Sequence, residues 1–442
     1  MAVIDLDQLP VTAPVTSPRP PLHVFRPVAL IAAVVLLLGL GGAAPAAPAL
    51  WRPLGSVPLS TGGTFTSAGD RFVTSADTDG DGVLDRVTGW RADPLRRLWS
   101  VVINPGSVSP EAVGYRGGQV AIAGDTVLVS RPDFKTDVLD LRTGRTVFTA
   151  ASRVESARSG IGLDSWTVFR PGAEYDTDSG DPGRIYLSST GRPYREPPLR
   201  TDLRAVELST GRELWRRPLP GYVFTAWTGG NLVVVSADRI QLIDPSTGRV
   251  RAQGGPGSGG AWVDVLGDVA VVQGPGRTTS YDLATLAPRW STESAPLADS
   301  ITGARCDAVI CRHTRDGVQV LDPATGVVRW QTGRDVSLRP DGRYTLEYDA
   351  TSMRPLRVVD PATGRPTDDL RDWPAVSPGL AGPAVLSRIE PGGKRTSFAM
   401  LRAGKILPLG YADSIVRECR AADGLAICRD GQGLALFAYR TG

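Results

Sequence analysis

A turn motif of the form Asp-x-x-Thr-Gly recurs along this chain with a period near 40 residues. The copies stand at 140–144, 207–211 (with Glu for Asp), 244–248, 322–326 and 360–364, and a degenerate copy stands at 282–286. The glycines at 248, 326, 364, 404 and 442 are spaced by 38 to 40 residues or by about twice that. A fixed period of this length is typical of repeat architectures. The chain is therefore predicted to fold as a series of similar units.

Each copy of the motif reads as a β-hairpin. In one of them, Val318–Leu321 is a strand, Asp322–Gly326 a turn and Val327–Trp330 a second strand, with the Pro, Asp and Gly residues that tight turns favour. Another hairpin precedes many copies, with a Gly-Asp or Gly-Asn turn as at Gly267-Asp268. Four short strands per ~40 residues form one blade of a propeller. No stretch after residue 50 has a helical period, so we expect almost no helix there.

Tryptophans follow several of the turns at a fixed distance. Trp215, Trp290 and Trp330 each lie four residues after the turn glycine or its equivalent. The pattern Ala205-x-Glu207-x-x-Thr210-Gly211-x-x-x-Trp215 resembles the tryptophan-docking motif of the quinoprotein (PQQ-like) propeller repeat. The pattern that ends at Trp330 resembles it too. We interpret these rings as packing between blades, where a flat side chain of this size buries much area.

The resemblance covers roughly residues 50–442 and implies an all-β propeller of four-stranded blades. Enzymes and pure binding scaffolds share that fold. The excess of arginine over lysine, 46 to three, resembles proteins of actinobacteria, and we identify the chain with the non-enzymatic, membrane-anchored type found there. Nine hairpins can be marked, near Asp93 and at positions 144, 211, 248, 286, 326, 364, 404 and 442. Because blades of this family usually number seven or eight, eight blades are predicted, within a range of seven to nine.

Two further features concern the outline of the propeller. Residues 171–202, rich in Gly, Pro, Ser, Asp and Arg, read as a surface loop inserted in one blade. The sequence Leu50–Leu54 resembles the fourth strand at Leu214–Leu219, whereas the C-terminal strand is followed by a turn and nothing more. We therefore expect Leu50–Leu54 to complete the last blade and to place Trp51 as Trp215 is placed, which would remove an open sheet edge.

The N-terminal region carries an uncharged run from Val28 to Ala44, preceded by Arg19 and Arg26. We favour a transmembrane signal anchor at residues 27–47, with residues 1–26 as a disordered cytoplasmic tail. The alternative is a secreted protein, cleaved among the small residues at 43–49. Both interpretations place the propeller on the extracytoplasmic side of the cell membrane.

Four cysteines form two pairs that are close in sequence, Cys306 with Cys311 and Cys419 with Cys428. Both pairs lie on the first hairpin of their blades, where adjacent strands can bring two Cβ atoms within bridging distance. Two disulfides are therefore predicted, in agreement with an oxidising compartment. A metal site at Cys306, Cys311 and His313 is the alternative, and it lacks a fourth ligand.

The sharpest local motif is an acidic stretch from Asp77 to Asp85. Carboxylates at Asp77, Asp79, Asp81 and Asp85, with the Val83 carbonyl and a glycine at the sixth position, match the oxygen ligands of a calcium loop. The spacing resembles the loops of integrin-type propeller repeats, although Thr88 stands where an EF-hand has a bidentate Glu. The stretch is therefore interpreted either as a structural Ca²⁺ site or as a solvated acidic turn.

A catalytic constellation is not evident in the sequence. Quinoprotein dehydrogenases use a vicinal Cys-Cys disulfide, which this chain lacks, and its two histidines are His23 in the tail and His313 in a blade. PQQ is therefore an unexpected cofactor. The net charge of +3 with scattered basic residues argues against nucleic acid. We expect a membrane-anchored module that binds a protein or an envelope polymer on a propeller face, the alternatives being a PQQ-dependent oxidoreductase and a calcium-dependent adhesion module.

Overall fold

The computed structural model describes residues 51–440 apart from 61, 81–82, 104–118, 134, 171–184, 188–192, 196–197, 256–261, 275–276, 294–304, 307–308, 315, 342–343, 378–383, 403–404, 423 and 432. The regular elements of this part of the chain are β-strands. It contains no helix whose length and apolar character would allow it to cross a membrane. The predicted tail at 1–26 and the predicted helix at 27–47 lie outside the described residues.

The strands form nine antiparallel sheets of four strands each, which we number as blades 1 to 9 in chain order. Blades 1 to 3 consist of β2 Thr64–Ala68, β3 Arg71–Ala76, β4 Arg86–Arg91 and β5 Arg96–Val102; β6 Val120–Ala123, β7 Thr126–Ser130, β8 Thr136–Asp140 and β9 Thr146–Ala150; β10 Val154–Arg158, β11 Ile161–Val168, β14 Arg200–Glu207 and β15 Glu213–Pro220. Blades 4 to 6 consist of β16 Phe224–Thr228, β17 Asn231–Val235, β18 Ile240–Ile243 and β19 Val250–Gly254; β20 Trp262–Leu266, β21 Val269–Gly274, β22 Arg277–Asp282 and β23 Pro288–Glu293; β24 Arg305–Cys306, β25 Val309–Thr314, β26 Gly317–Leu321 and β27 Val328–Gln331. Blades 7 to 9 consist of β28 Val336–Asp341, β29 Tyr344–Asp349, β30 Pro355–Val359 and β31 Pro366–Asp369; β32 Ala375–Ser377, β33 Ala384–Ile389, β34 Thr396–Arg402 and β35 Lys405–Ala412; β36 Arg417–Ala422, β37 Leu425–Arg429, β38 Gly433–Tyr439 and β1 Trp51–Pro58. A separate hairpin, β12 Ile185–Leu187 with β13 Pro193–Arg195, lies within the predicted insertion.

The hydrophobic core is divided among the nine interfaces between consecutive blades, which we call seams. Each of nine buried apolar clusters draws its side chains from two neighbouring blades, and the last cluster joins blade 9 to blade 1 through residues such as Leu436 and Phe72. Middle strands are accordingly buried on both sides and read as continuous apolar runs, such as Leu232–Val235. The fold is therefore a closed nine-bladed propeller.

The predicted number of eight blades was wrong. The hairpins near Asp93 and Gly404 both belong to complete four-stranded sheets, β2–β5 and β32–β35. Their turns depart from the Asp-x-x-Thr-Gly pattern, while their middle strands keep fully buried residues such as Phe72 and Phe398. A blade is thus maintained by its buried middle strands, and the turn sequence can vary.

The predicted closure is confirmed. Strand β1 pairs with β38 over seven residue pairs, from Trp51 opposite Tyr439 to Pro58 opposite Gly433. It thereby supplies the outer strand of a blade whose other three strands come from the C-terminal end of the described chain. No outer strand of blade 9 follows β38 among the described residues, so β1 covers an edge that would otherwise be open.

Five seams are fastened by an aromatic ring on the outer strand of one blade that lies on a turn glycine of the next. The pairs are Trp99 with Gly144, Phe148 with Gly211, Trp215 with Gly248, Trp290 with Gly326 and Trp330 with Gly364. A Cβ at any of these glycines would lie 2.5–2.7 Å from a ring atom. Each tryptophan Nε1 also donates to a backbone carbonyl of the turn at 2.7–3.0 Å. The interpretation of these tryptophans as packing between blades is therefore confirmed.

Three other seams use the same two positions with the residue sizes exchanged. Here the outer strand carries the small residue and the next blade carries the large one. The pairs are Gly410 with Trp51 and Gly55 with Leu95, and at the third seam Ala252 packs against the cluster that contains Leu286. A Cβ at Gly410 would lie 2.8 Å from the Cβ of Trp51, and a Cβ at Gly55 would lie 2.9 Å from Leu95 Cδ2. At these seams the large residue of the contact comes from the next blade, and the small one comes from the outer strand.

The expected placement of Trp51 was wrong for this reason. Gly55 pairs with Leu436 as Trp215 pairs with Ala205, so Gly55 is the residue of β1 that corresponds to Trp215. Trp51 lies four residues earlier, where other blades have the turn glycine. Its ring stacks on Phe398 and Phe437, with centroids 4.3 and 4.6 Å away.

The turns themselves are held by their aspartates, which predicts a loss of stability in acid. Asp244, Asp282 and Asp360 accept hydrogen bonds from turn hydroxyl and amide groups, and these bonds, with Arg251 beside Asp244 and Arg289 beside Asp282, lower the pKa of each carboxyl. Below pH ~4 the unfolded chain therefore binds more protons than the folded one, and the free energy of unfolding falls as the pH is lowered. Urea titrations between pH 5 and 2.5 should show this fall, and it should be shallower in a D244N/D282N double variant. An equal slope in the variant would contradict the assignment.

Candidate functional site

The propeller has two faces that the strand order distinguishes. The hairpin turns between the first and second strands and between the third and fourth strands share one face, as the bond from Leu141 N to Asp125 O shows in blade 2. We call it the turn face. The connections between the second and third strands, and those that lead to the next blade, share the other face, which we call the loop face. The longer connections, at 103–119, 169–199 and 294–304, leave strands that end on the loop face.

The turn face carries many charges that are paired within their own turns. Arg251, Arg289 and Arg329 form ion pairs with the turn aspartates seven residues before them. The same aspartates accept the backbone N–H groups of the turn, as Asp322 accepts those of Ala324 and Thr325 at 2.8 and 2.9 Å. The ionic groups of these turns are therefore engaged in holding the repeat.

The loop face carries most of the exposed apolar side chains in the described part of the chain. Ten large hydrophobic residues are exposed in the described part of the chain, and two of them, Val327 and Val328, lie on the turn face. The other eight are Val102, Trp166, Leu199, Trp262, Met353, Ile389, Tyr411 and Ile415. Trp262 is 60% exposed at the start of an inner strand, and its ring lies 6.5 Å from that of Phe224 at the start of the neighbouring inner strand. Exposed aromatic and aliphatic groups of this kind mark interaction surfaces when they gather on one side.

Sequence reasoning missed this asymmetry. Residues such as Trp262 and Tyr411 stand within or next to strand patterns and read as core. A usable signal was their position along the strand order, with Trp262 at the start of a first strand and Tyr411 near the end of a fourth strand, which places both on one face.

The acidic stretch predicted as a calcium loop connects β3 and β4 on the loop face of blade 1. Gly80 N donates to Asp77 Oδ1 at 2.7 Å, and Thr78 N donates to Asp85 Oδ1 at 3.1 Å. Asp77, Asp79, Val83 and Asp85 are described, whereas Asp81 lies outside the described residues. No group of three or more His, Cys, Asp or Glu side chains that could hold a metal ion occurs within the described residues.

Calcium binding at this loop stays a prediction with a direct test. If Ca²⁺ binds, Asp79→Ala and Asp81→Ala should each lower its affinity at least tenfold, because each removes a carboxylate ligand. Isothermal titration calorimetry on the full-length protein measures the affinity, with Asp70→Ala, an exposed carboxylate on the turn face of the same blade, as the control. Unchanged affinity in both loop variants would show that the stretch is only a turn.

The cysteines lie in blades 6 and 9. A disulfide joins Cys419 on β36 to Cys428 on β37, and both residues are buried. Cys311 on β25 is buried and disulfide-bonded. The side chains of Cys306 and His313 lie outside the described residues, so the pairing of Cys306 with Cys311 stays a prediction that non-reducing peptide mapping can check.

Comparison with known proteins gives one family and several similar structures. Residues 199–365 match the family PQQ_2, described as outer membrane protein assembly factor BamB. The search of curated proteins gave no match. BamB from Moraxella catarrhalis has a similar structure, with a TM-score of 0.42 and 12% identity over 89% of this chain and 99% of that one. Quinohemoprotein alcohol dehydrogenase from Comamonas testosteroni has a TM-score of 0.40 and 12% identity over 88% of this chain and 75% of that one.

Proposed function

Because the repeats of this chain are those of the PQQ-like β-propeller family, we propose that it is a binding scaffold that docks a protein partner on its loop face. The observation that carries the proposal is the uneven distribution of exposed apolar groups. Among the described residues, eight of ten lie on the loop face, whereas ionic groups of the turn face are paired inside their turns. Interfaces are enriched in exposed Trp, Tyr and Met side chains, and these occur on the loop face.

The family description supports a role in assembly. The matched family is named for an outer membrane protein assembly factor, which is a protein that acts on other proteins. A propeller suits such a role, because a closed ring is rigid and its loops can vary without disturbing the seams. A protein partner is therefore proposed in preference to an envelope polymer.

The compartment is part of the proposal. The buried disulfide in blade 9 supports an oxidising environment. We place it outside the cytoplasm, held at the cell membrane by a helix at residues 27–47. The protein is proposed to act without catalysis.

Photo-crosslinking from single positions tests the binding face. The full-length protein, carrying a photoreactive amino acid at Trp262 or Tyr411, is irradiated in intact cells. The matched control carries the same amino acid at Val327, which is 63% exposed on the turn face. A discrete crosslinked protein at the two loop-face positions, and none at Val327, is the expected result. The proposal fails if Val327 gives the same product, or if neither loop-face position gives one.

A cofactor assay separates the scaffold from the oxidoreductase alternative. The purified protein, incubated with PQQ and Ca²⁺, is expected to show no dye-linked oxidation of primary alcohols. Turnover that depends on added PQQ would overturn the non-catalytic assignment.

A further inference from the structure

Blade 7 contains a cleft that none of the features above explains. It has a volume of about 450 Å³, and its eight lining residues lie on this blade or just after its last strand. They are Val336, Glu347, Leu356, Arg357, Pro366, Asp368, Asp369 and Arg371. Glu347 pairs across the sheet with Leu338, whose side chain packs against blade 6. The cleft therefore opens on the side of blade 7 that faces blade 6, and its size lies within the range of small-molecule sites.

The floor and mouth of the cleft are a row of alternating charges. Glu347 on β29, Arg357 on β30 and Asp369 on β31 are successive cross-strand partners. Glu347 is ion-paired with Arg357, and Asp369 with Arg371 just beyond the strand. Each of the two ion pairs is neutral in itself, so these four side chains carry no net charge, and Asp368, the remaining charged lining residue, adds one carboxylate.

Glu347 and Arg357 at the floor of the cleft can form further hydrogen bonds. Glu347 is 3% exposed, and its Oε2 accepts a hydrogen bond from Arg357 Nε. Within the described residues, no donor reaches Glu347 Oε1 and no acceptor reaches the two Nη groups of Arg357. A buried carboxylate gains from further hydrogen bonds. The floor thus presents an acceptor directly beside several donors.

We propose that this cleft binds a neutral saccharide. A hydroxyl group both donates and accepts, so adjacent sugar hydroxyls can donate to Glu347 Oε1 and accept from Arg357 Nη. Val336, Leu356 and Pro366 supply apolar wall for the C–H groups of a sugar ring. The site is separate from the protein-docking residues Trp262 and Tyr411, which lie on blades 5 and 8.

Titration calorimetry of the full-length protein with four disaccharides tests the site: trehalose, maltose, cellobiose and N,N′-diacetylchitobiose. Saturable binding of at least one is expected. Glu347→Gln and Arg357→Lys should each weaken that binding at least tenfold, since the first removes the charged acceptor and the second the guanidinium fork. Arg371→Gln should weaken it about threefold without altering the thermal melt, because the Arg371 side chain is 74% exposed.

Blade 3 supplies matched controls. Asp164 and Arg204 form the corresponding buried ion pair across β11 and β14, and Arg216 there is an exposed, ion-paired arginine. Asp164→Asn and Arg216→Gln should leave saccharide affinity within twofold of the parent. The proposal is overturned if none of the four disaccharides saturates, if Arg371→Gln and Arg216→Gln have the same effect, or if glucose 6-phosphate binds more tightly than every neutral sugar.

Discussion

Deletion of residues 51–58 is expected to lower the melting temperature of the protein sharply. The deletion removes the seven residue pairs between β1 and β38 and leaves β38 as an open edge. It also takes Trp51 and Val57 from the clusters on either side of blade 9. Loss of the Trp51 side chain alone should cost about 3–5 kcal/mol, which is a large share of the ~5–15 kcal/mol that stabilises a typical domain. Circular dichroism melts of the full-length and deleted proteins measure the difference.

Deletion of residues 2–26 is the control for this experiment, because those residues lie outside the propeller repeats. The melt of the control should match that of the parent protein. If the two deletions behave alike, β1 contributes little and the ring is held by other contacts.

Alanine substitution of Trp51 and Gly410, the two residues in contact at the seam between blades 8 and 9, should reveal strong coupling. Trp51→Ala should cost about 3–5 kcal/mol through the cavity it leaves. Gly410→Ala should cost about 1–3 kcal/mol, because its Cβ would lie 2.8 Å from the Cβ of Trp51. In the double variant the new methyl group occupies part of the cavity, so the loss should be smaller than the sum of the two single losses. Denaturant titration gives all three values.

Gly333→Ala serves as the control substitution, since a Cβ at Gly333 would meet no atom within 4 Å. It should change stability by less than about 0.5 kcal/mol. Additive losses at Trp51 and Gly410 would show that the two residues do not form the contact described.

The repeat period predicted the fold class well, because turn residues and apolar strand runs report directly on local structure. Nine hairpins were visible in the sequence, but the count was reduced to eight by analogy with related proteins. The seams show why nine can close: the pairs described at them, such as Trp330 on Gly364, are local, and none of these pairs depends on the total number. Ring size is a sum of small rotations between blades, which a sequence motif does not encode.

The register of β1 against β38 was the second feature that the sequence did not predict. The likeness between Leu50–Leu54 and Leu214–Leu219 placed the right strand in the right blade but displaced it by four residues. No turn connects β38 to β1, so nothing local fixes the alignment of the two strands. The apolar pattern decides instead, with Trp51 stacked on Phe437 and Val57 in the cluster with Leu434. The exposed residues of the loop face were likewise hidden from the sequence, because a strand pattern does not say which of its ends meets solvent.

The pairing of β1 with β38 also sets the order of events during synthesis. Trp51 and Tyr439 are partners at opposite ends of the described chain, so the ribosome must make β38 before β1, the first propeller strand, can pair. Until then β1 is an unmatched apolar strand, and contacts between such distant residues form slowly. If the protein is exported through a membrane as it is made, β1 is the first propeller strand to emerge, and it stays unpaired longer than any other. A chaperone that shields this one strand is expected to raise the yield of closed rings.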